Sequence, residues 1–439
     1  TWRVKKWNGA TSDILPAQVS TTTVEIPIAP TKPANPPAYT PADLGFNNFP
    51  SFREHQLEAL RRITASDKKF IIVQAPTGSG KTLLAASLQR IVGEQVVYTC
   101  ITKQLQDQAL RDFASVENGK PYGATLKGKA NYLTLRESYN FPKISAEVCL
   151  GGRKLHCRYC CSEGDKPQLC ENCGREFGGI VCKVCGWAYT RSACGIELRC
   201  PYTVAVGQAV KSPFPILNLA MFLGMAKSPK GPFSSVPWLV LDECDLAADA
   251  LASHVELRIG KDWATRLQLD SPDHITVEDE WAAWVKDTAL PTAATRLRQL
   301  ADSEYTEDIR EEIWLRRTIE KMQTFLASVQ EQPWVWIPEE WTFKPATVGH
   351  WKGRRLMFPE HYLWSHAGRI LMMSATVLSP DQLCYDLGID RNQAEFIDLP
   401  SAFRASKRPV IYHPVTRMTH KTASFAWPRR LHRSRRRAR

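Results

Sequence analysis

The sequence predicts an α/β fold with a parallel sheet, which two insertions interrupt. One observation is an apolar run, "FIIVQ" at residues 70–74, that leads into the glycine-containing segment "APTGSGKT" at 75–82. Another is a second apolar run, "QVVYT" at 95–99, which follows after the length of one helix beginning at Lys81. A strand, a loop, a helix and a second strand in this order are the beginning of a parallel sheet, because parallel strands need a crossover connection.

Length and composition are typical of a globular protein with two or three domains. Of the 439 residues, 44% are hydrophobic and 23% are charged, which are ordinary proportions. No apolar run reaches the length of about eighteen residues that a membrane span requires. No signal-peptide pattern occurs either, although the chain opens on Thr1. We therefore expect a cytoplasmic, nucleoid-associated or nuclear protein that is not secreted and has no membrane partner; its oligomeric state is not indicated.

The formal net charge of +12 invites a nucleic-acid partner, but its distribution weakens that inference. Seven Arg and no acidic residue lie in the last eleven positions, 429–439, so the rest of the chain is only mildly basic. This basic tail is predicted to be either a nucleic-acid-binding arm or sequence beyond a frameshift or a broken gene end.

The chain before the first strand divides into two parts. Residues 1–49 are rich in Thr and Pro, which predicts an extended or disordered leader. Phe52, Leu57, Leu60 and Ile63 then recur at helical spacing and predict the first helix. Ordered structure is therefore expected to begin at this helix.

The α/β pattern resumes after a cysteine-rich segment. A helix is predicted near 203–211, followed by apolar strands at "FPILNLA" and at "WLVLDE", residues 238–243, and by a final strand "RILMMSAT" at 369–376. Between the last two strands, residues 251 to about 365 are typical of long amphipathic helices, such as "DIREEIWLRRTIEKMQTFLASV". That helix mixes acids with bases, as solvated faces do. The aromatic residues of "EWAAWV" and "PWVWIPEEW" are predicted to be core residues rather than base-stacking platforms.

The segment "APTGSGKT" has the residues of a phosphate-binding loop. Gly78 and Gly80 allow the backbone to turn its N–H groups toward phosphate oxygens, and the following helix adds its N-terminal dipole. Lys81 would reach the β- and γ-phosphates of ATP, and the Thr82 hydroxyl would ligate Mg²⁺. A glycine-rich turn without function is disfavoured, because a strand precedes the loop and a helix follows it. The predicted ATP-binding residues of the loop are Ala75, Pro76, Thr77, Gly78, Ser79, Gly80, Lys81 and Thr82.

A second motif, "LVLDECD", ends a predicted strand on two acids. Asp242 would hold the Mg²⁺ through water, and Glu243 would orient or deprotonate the attacking water. Such a pair is commonplace on its own, and its place downstream of a phosphate loop is what favours catalysis. With Lys81, these two acids are the predicted catalytic residues. The segment "SAT", Ser374 to Thr376, would link the nucleotide state to the grip on nucleic acid.

The order of these motifs resembles that of the superfamily 2 helicases of the XPD/DinG type, which contain an iron–sulfur cluster. "FREHQ", which ends on Gln56, looks like the adenine-sensing element of that family. "VVYTCITKQLQDQ" is similar to its motif Ia, which implies contact with the nucleic-acid backbone through Thr102 and Gln104. "LDECDLAADA" resembles its DEAH segment, with Asp245 at the position where His is usual.

Two further segments resemble the parts of that family on either side of its cysteine domain. They are "LKGKANYL" at 126–133 and "CPYTVAVGQAVKSPFPILNLAMFL", which contains Asn218. The resemblance covers roughly residues 50–250 and 366–410 and implies an ATP-dependent helicase that moves 5′ to 3′ on single-stranded or forked DNA. It implies a RecA-like P-loop NTPase lobe with a cysteine-rich metal-binding insertion and a helical, arch-like insertion. The predicted segments are 1–49 (leader), 50–122 (first part of the lobe), 123–200 (cysteine-rich insertion), 201–250 (second part of the lobe), 251–365 (helical insertion), 366–395 (last part of the lobe) and 396–439 (start of a truncated second lobe and the basic tail).

Ten of the thirteen cysteines lie between Cys149 and Cys200. A secreted disulfide domain has this density, but metal binding in a reducing compartment suits a P-loop protein better. The stretch "CENCGREFGGIVCKVCG" at 170–186 looks like a zinc ribbon, because four thiolates in two CxxCG turns close a tetrahedron around Zn²⁺. Its predicted ligands are Cys170, Cys173, Cys182 and Cys185.

The resemblance implies, in the same insertion, a 4Fe–4S cluster held by four cysteines. Cys194 and Cys200 match the last two ligands of the family. Thr134 stands at the position of the first ligand, so Cys149, Cys157 and Cys160 are the candidates to complete the set. Thiolates suit both metals, so a cluster, a zinc ribbon or both are open.

The segment "LPSAFRASKRPVIYHPVTRM" looks like the entry to the second RecA-like lobe of such helicases, beyond which the likeness stops. The arginine of that lobe, which stabilises charge on the transferring phosphate, is not assigned. We therefore expect this chain to bind ATP–Mg²⁺ but to hydrolyse it barely above background. The alternative to a helicase is a zinc-ribbon nucleic-acid-binding protein whose nucleotide site only switches conformation.

Overall fold

A computed structural model describes most of the chain between residues 39 and 400. The described residues are 39–53, 55–114, 116–117, 120–133, 145–146, 168–169, 176–177, 201–227, 231–275, 277–300, 306–346, 356, 358–377 and 379–400. The predictions made for residues 1–38, for the cysteines from Cys149 to Cys200 and for residues 401–439 lie outside this part of the chain.

A seven-stranded sheet forms the centre of the fold, and every pairing in it is parallel. Its strands are β1 (Phe70–Gln74), β2 (Val96–Cys100), β3 (Gly123–Leu126), β4 (Phe214–Asn218), β5 (Val236–Asp242), β6 (Ala367–Ser374) and β7 (Ala394–Asp398). Their order across the sheet is β7–β1–β6–β5–β2–β4–β3. The strands read as apolar runs because helices cover both faces of a parallel sheet.

The described α-helices belong either to the layers on the two faces of the sheet or to the helical insertion. They are α1 (Gln56–Ala65), α2 (Lys81–Val92), α3 (Lys103–Phe113), α4 (Pro201–Lys211), α5 (Leu219–Ala226), α6 (Ala247–Val255), α7 (Lys261–Arg266), α8 (Glu278–Trp284), α9 (Leu290–Gln299), α10 (Thr306–Ser328), α11 (Pro359–Tyr362) and α12 (Pro380–Asp386). Alternate residues of β5 enter opposite cores: Leu239 and Leu241 pack in one cluster, and Val240 packs in the other. Two cores on one parallel sheet confirm the predicted α/β, RecA-like fold.

The predicted strands agree with the structure within a few residues, with two corrections. "FPILNLA" is not one strand, because the chain turns into α5 after Asn218, whose Oδ1 accepts a hydrogen bond from the Met221 N–H at 2.7 Å. An Asn in this capping position begins a helix even inside an apolar run. The strand "RILMMSAT" is also not the last one, since β7 follows it and pairs with β1. The sheet also contains β3, residues 123–126, which lies within the range predicted for the cysteine-rich insertion. Through β7 it extends past the boundary predicted at 395.

The helical insertion is confirmed in its long helix, α10, but it also contains a small antiparallel sheet that the sequence pattern did not predict. The strands of that sheet are Leu257–Arg258, Trp334–Ile337 and Thr342–Pro345. Trp281 and Trp334 are buried. Trp281 packs against Phe343, and Trp334 packs against its neighbour Phe325, which confirms that these two tryptophans are core residues. None of the described helices is long and apolar enough to cross a membrane.

The cysteine-rich insertion leaves and re-enters the lobe at two tyrosines. Tyr132 follows β3, and Tyr202 lies in the first turn of α4. Their rings pack edge to face with centroids 5.6 Å apart, and the Lys129 ammonium lies 5.5 Å from the Tyr202 ring. The two ends of the insertion therefore meet at one point on the lobe.

Candidate nucleotide-binding site

The predicted nucleotide residues lie where β1, β6 and β5 end side by side. Gln74 of β1 is level with Ser374 of β6, and Met373 of β6 is level with Asp242 of β5. The Ala75 N–H donates to the Ser374 carbonyl at 2.8 Å and fixes the start of the phosphate loop. Ligands of open parallel sheets bind at the carboxyl ends of the strands, and these residues share that edge.

The loop itself turns through two left-handed glycines. Gly78 has φ of 79° and Gly80 has φ of 82°, and α2 begins directly afterwards at Lys81. A side chain on Gly80 would also be obstructed, since its Cβ would lie 2.5 Å from Gln56 Nε2. Glycine is therefore required at position 80 both by the backbone conformation and by this contact.

Gln56 supports the loop from α1. Its Nε2 donates to the carbonyls of Ser79 at 2.7 Å and Gly80 at 3.2 Å, and its Oε1 accepts from the Arg53 N–H at 2.6 Å. The side chain is buried. The structure thus brings Gln56 to the phosphate loop, while its contact with adenine stays a prediction.

Lys81 and Glu243 form an ion pair across the site. The Lys81 Nζ lies 3.1 Å from Glu243 Oε1, and the Lys81 side chain is only 11% exposed. The other oxygen, Oε2, lies 3.4 Å from the Ser374 hydroxyl oxygen. Glu243 has φ of 54°, a conformation that non-glycine residues adopt rarely and that is frequent at functional sites. The phosphate loop, the acidic motif after β5 and the SAT segment therefore meet at the Lys81 ammonium and the Glu243 carboxylate.

Asp242 is buried at the end of β5, and only one of its two carboxylate oxygens has a hydrogen-bond partner. Its Oδ2 accepts a 2.6 Å hydrogen bond from the Tyr98 hydroxyl, whereas Oδ1 is buried without a hydrogen-bond partner. Burial raises the pKa of Asp242, and the Tyr98 hydroxyl and the Lys81 ammonium lower it in part. A buried carboxylate oxygen without a donor suits a hydrated cation. Asp242 thus fits the predicted Mg²⁺ site, and the role of Thr82 there stays a prediction.

Asp245 ties this motif to the SAT segment, a contact that the sequence did not reveal. Its Oδ1 accepts from the Ser374 hydroxyl at 2.6 Å, and its Oδ2 accepts from the Thr376 hydroxyl at 2.9 Å. A carboxylate can accept both bonds, whereas a neutral imidazole has one acceptor nitrogen. The departure from His at this position therefore has a structural role. The only signal in the sequence was a third acid in the motif, three residues after Asp242.

The residues predicted to contact nucleic acid lie at the same edge of the sheet. Thr102 caps α3, its hydroxyl accepting from the Leu105 N–H at 3.3 Å, and both Thr102 and Gln104 are exposed. The Lys103 ammonium donates to Asn131 Oδ1 at 3.0 Å, which joins α3 to the segment before the cysteine-rich insertion. Contact with a nucleic-acid backbone stays a prediction for these residues.

The predicted metal ligands cannot be compared with the structure. Cys149, Cys157, Cys160, Cys170, Cys173, Cys182, Cys185, Cys194 and Cys200 all lie outside the described residues. Within the described part of the chain, no three His, Cys, Asp or Glu side chains are grouped so that they could hold a metal ion. Three cysteines there, Cys100, Cys244 and Cys384, are free and buried. Burial raises the pKa of Cys100 to about 12, so its side chain stays a neutral, unreactive thiol.

The first part of this site lies in a segment that matches a known protein family. Residues 49–142 match the sequence model of the family described as "Type III restriction enzyme, res subunit". This segment runs from the residues before α1 through the phosphate loop and β3. It includes Gln56, the phosphate loop, Thr102 and Gln104, which carry part of the predicted resemblance. No curated protein sequence matches the chain.

Two solved structures are similar to the chain. The one named "XPD_Helicase" has 15% sequence identity and a TM-score of 0.42, covering 79% of this chain and 61% of that one. The one named "Truncated XPD" has 14% identity and a TM-score of 0.41, covering 79% of this chain and 99% of that one. The chain thus spans 61% of the length of the first structure.

Proposed function

We propose that the chain is the nucleotide-binding part of an ATP-dependent DNA helicase, which couples ATP hydrolysis to 5′-to-3′ movement along a single strand and to duplex unwinding. The observation that carries this proposal is the convergence of Lys81, Glu243 and Asp242 at one edge of the sheet. The bonds from Asp245 to the SAT segment support it further, because they connect the acidic motif to a third strand end.

Each residue of the site has a distinct role in this proposal. Lys81 would hold the β- and γ-phosphates, where a phosphate group competes with Glu243 for its ammonium. Thr82 and Asp242 would hold Mg²⁺, which supplies positive charge against the phosphate oxygens when it is bound. Glu243, freed from Lys81, would then orient or deprotonate the attacking water.

The proposed DNA-binding surface adjoins the nucleotide site. Thr102, Gln104 and Lys103 lie at the exposed N-terminal end of α3, where backbone N–H groups and the helix dipole favour a phosphate. Asn218 lies at the start of α5, in register with Cys100 at the end of β2. Single-stranded or forked DNA along this edge would lie beside the residues that sense the nucleotide.

The two insertions are proposed to be separate domains, and the cysteine-rich one is proposed to carry a 4Fe–4S cluster, Zn²⁺ or both. Anaerobically purified protein is expected to contain metal bound by the cysteines between Cys149 and Cys200. Broad visible absorption that is lost on oxidation indicates the cluster, and colourless protein with stoichiometric zinc indicates ribbons alone. Protein with neither metal contradicts both site assignments.

The test of function measures ATP hydrolysis with and without single-stranded DNA, using the Lys81→Ala variant as the background. Hydrolysis above that background that rises with DNA supports the helicase, even if turnover is slow. Duplexes with 5′ and 3′ single-stranded tails then test the direction of movement. Nucleotide-dependent DNA affinity without any hydrolysis favours the alternative, a zinc-ribbon protein with a nucleotide switch. Absence of nucleotide binding contradicts both.

A further inference from the structure

Tyr98 of β2 is a buried tyrosine aimed at the acidic end of a neighbouring strand. Its side chain is only 1% exposed, and its hydroxyl donates to Asp242 Oδ2 at 2.6 Å. The register explains the contact: Tyr98 is level with Val240 of β5, so Asp242 is its diagonal neighbour on the same face. A long aromatic side chain spans such a diagonal, which a shorter residue does not.

This hydrogen bond determines which oxygen of Asp242 stays available. The terminal torsion of an aspartate is soft and roughly two-fold, so an unrestrained carboxylate exchanges its two oxygens. The Tyr98 hydroxyl holds Oδ2 with a charge-assisted bond and leaves Oδ1 without a hydrogen-bond partner. Glu243, in contrast, is held by the Lys81 ammonium, which contacts its Oε1.

We propose that Tyr98 is a positioning residue for the Mg²⁺ site, whose hydroxyl fixes the Asp242 carboxylate so that Oδ1 is the oxygen presented to the hydrated cation. This inference rests on the proposed nucleotide site. It adds a specific requirement: the part of the nucleotide affinity that depends on Mg²⁺ needs the Tyr98 hydroxyl, and the part that does not depend on Mg²⁺ is independent of it.

The experiment compares Tyr98→Phe with Tyr122→Phe. Tyr122 is the matched control because it is equally buried in the same lobe and its hydroxyl donates to the Ala86 carbonyl at 2.9 Å. The dissociation constant of a fluorescent ATP analogue is measured for each protein in excess Mg²⁺ and in a chelator, at a temperature where thermal unfolding shows all of them folded. A role in general stability would affect both variants alike.

We expect Tyr98→Phe to lose about tenfold of the affinity gained from Mg²⁺, equal to about 1.4 kcal/mol, with unchanged affinity in the chelator. Tyr122→Phe is expected to keep the full gain. A full Mg²⁺ gain in Tyr98→Phe, or an equal loss in both variants, overturns the role of Tyr98. Wild-type protein that gains nothing from Mg²⁺ contradicts the proposed function itself, so the two failures are distinguishable.

Discussion

The two edges of the central sheet differ in how they use buried polar groups. At the amino ends of the strands, side chains satisfy the backbone: Gln95 donates to the carbonyls of Val210 at 3.1 Å and Ser212 at 2.9 Å. Arg369, at the same edge, donates from its terminal guanidinium nitrogen to the Ser66 carbonyl at 2.6 Å, while its Nε is buried without a hydrogen-bond partner. At the carboxyl ends, Asp242 instead keeps an oxygen buried without a partner.

This difference separates stability from function within one sheet. Bonds to otherwise unpaired carbonyls stabilise the fold, because a buried carbonyl without a donor is costly. A buried carboxylate with a free oxygen does the opposite and is retained where a ligand needs it. Substitutions at the carboxyl edge should therefore affect binding, and those at the amino edge should affect unfolding.

The largest expected effect is that of Lys81→Ala at the carboxyl edge. It removes the cation that would face the phosphates, so binding of a fluorescent ATP analogue should fall below detection. Because the variant also loses the ion pair with Glu243 and the ammonium beside Asp242, binding is compared at a temperature where thermal unfolding shows both proteins folded. Lys261→Ala, at an exposed position of α7, is the control and should bind normally. Unchanged binding in Lys81→Ala contradicts the phosphate-loop assignment.

Arg369→Ala tests the amino edge and should give the reverse result. The variant loses the bonds to the carbonyls of Ser66 and Lys68 and the contact of the guanidinium with the Trp238 ring, 4.4 Å away. We expect a loss of about 2 kcal/mol in urea unfolding and an unchanged dissociation constant for the nucleotide.

The control for that experiment is Arg61→Ala, which removes an exposed pair with Glu58. Its cost should stay below about 1 kcal/mol. A weakened nucleotide affinity in Arg369→Ala, at a temperature where the protein is folded, would show that the two edges are not separable.

The smallest expected effect is that of Asp245→Ala, which should affect both stability and the response to the nucleotide. Asp245 lies at the carboxyl edge but accepts two hydroxyl bonds, as a structural group does. Because one of these bonds is exposed, we expect a stability loss of about 1 kcal/mol. Nucleotide affinity should be unchanged, whereas the change in single-stranded DNA affinity between nucleotide states should shrink severalfold, as fluorescence anisotropy can measure. Asp245→Asn keeps part of the acceptor set and should lie between; an undiminished DNA response in Asp245→Ala contradicts the proposed link.

The sequence was sufficient for those parts of the site whose chemistry lies within one short motif. Lys81, Asp242 and Glu243 could be predicted because each follows an apolar strand at fixed spacing. The Tyr98–Asp242 and Asp245–Ser374 bonds could not, because they depend on which strands are neighbours and in which register. That information arises only when β2, β5 and β6 assemble.

Two elements of the fold could not be predicted from the sequence, for similar reasons. β7, "AEFID", is only five residues long and includes two acids, and its place is determined by pairing with β1. The small sheet that contains Trp334–Ile337 was overlooked because its aromatic residues indicated burial without indicating strand pairing. Local propensity is weakest where tertiary pairing decides the structure.

The meeting of Tyr132 and Tyr202 has a consequence for the maturation of the protein. Since the cysteine-rich segment begins and ends at one contact, the lobe needs no metal to bring β3 and α4 together. Closing a long loop costs little more than closing a short one, so the sheet can assemble around an insertion that is still unfolded. The proposed metal, where the segment binds it, would then be loaded on an already folded lobe, and its loss would leave that lobe intact.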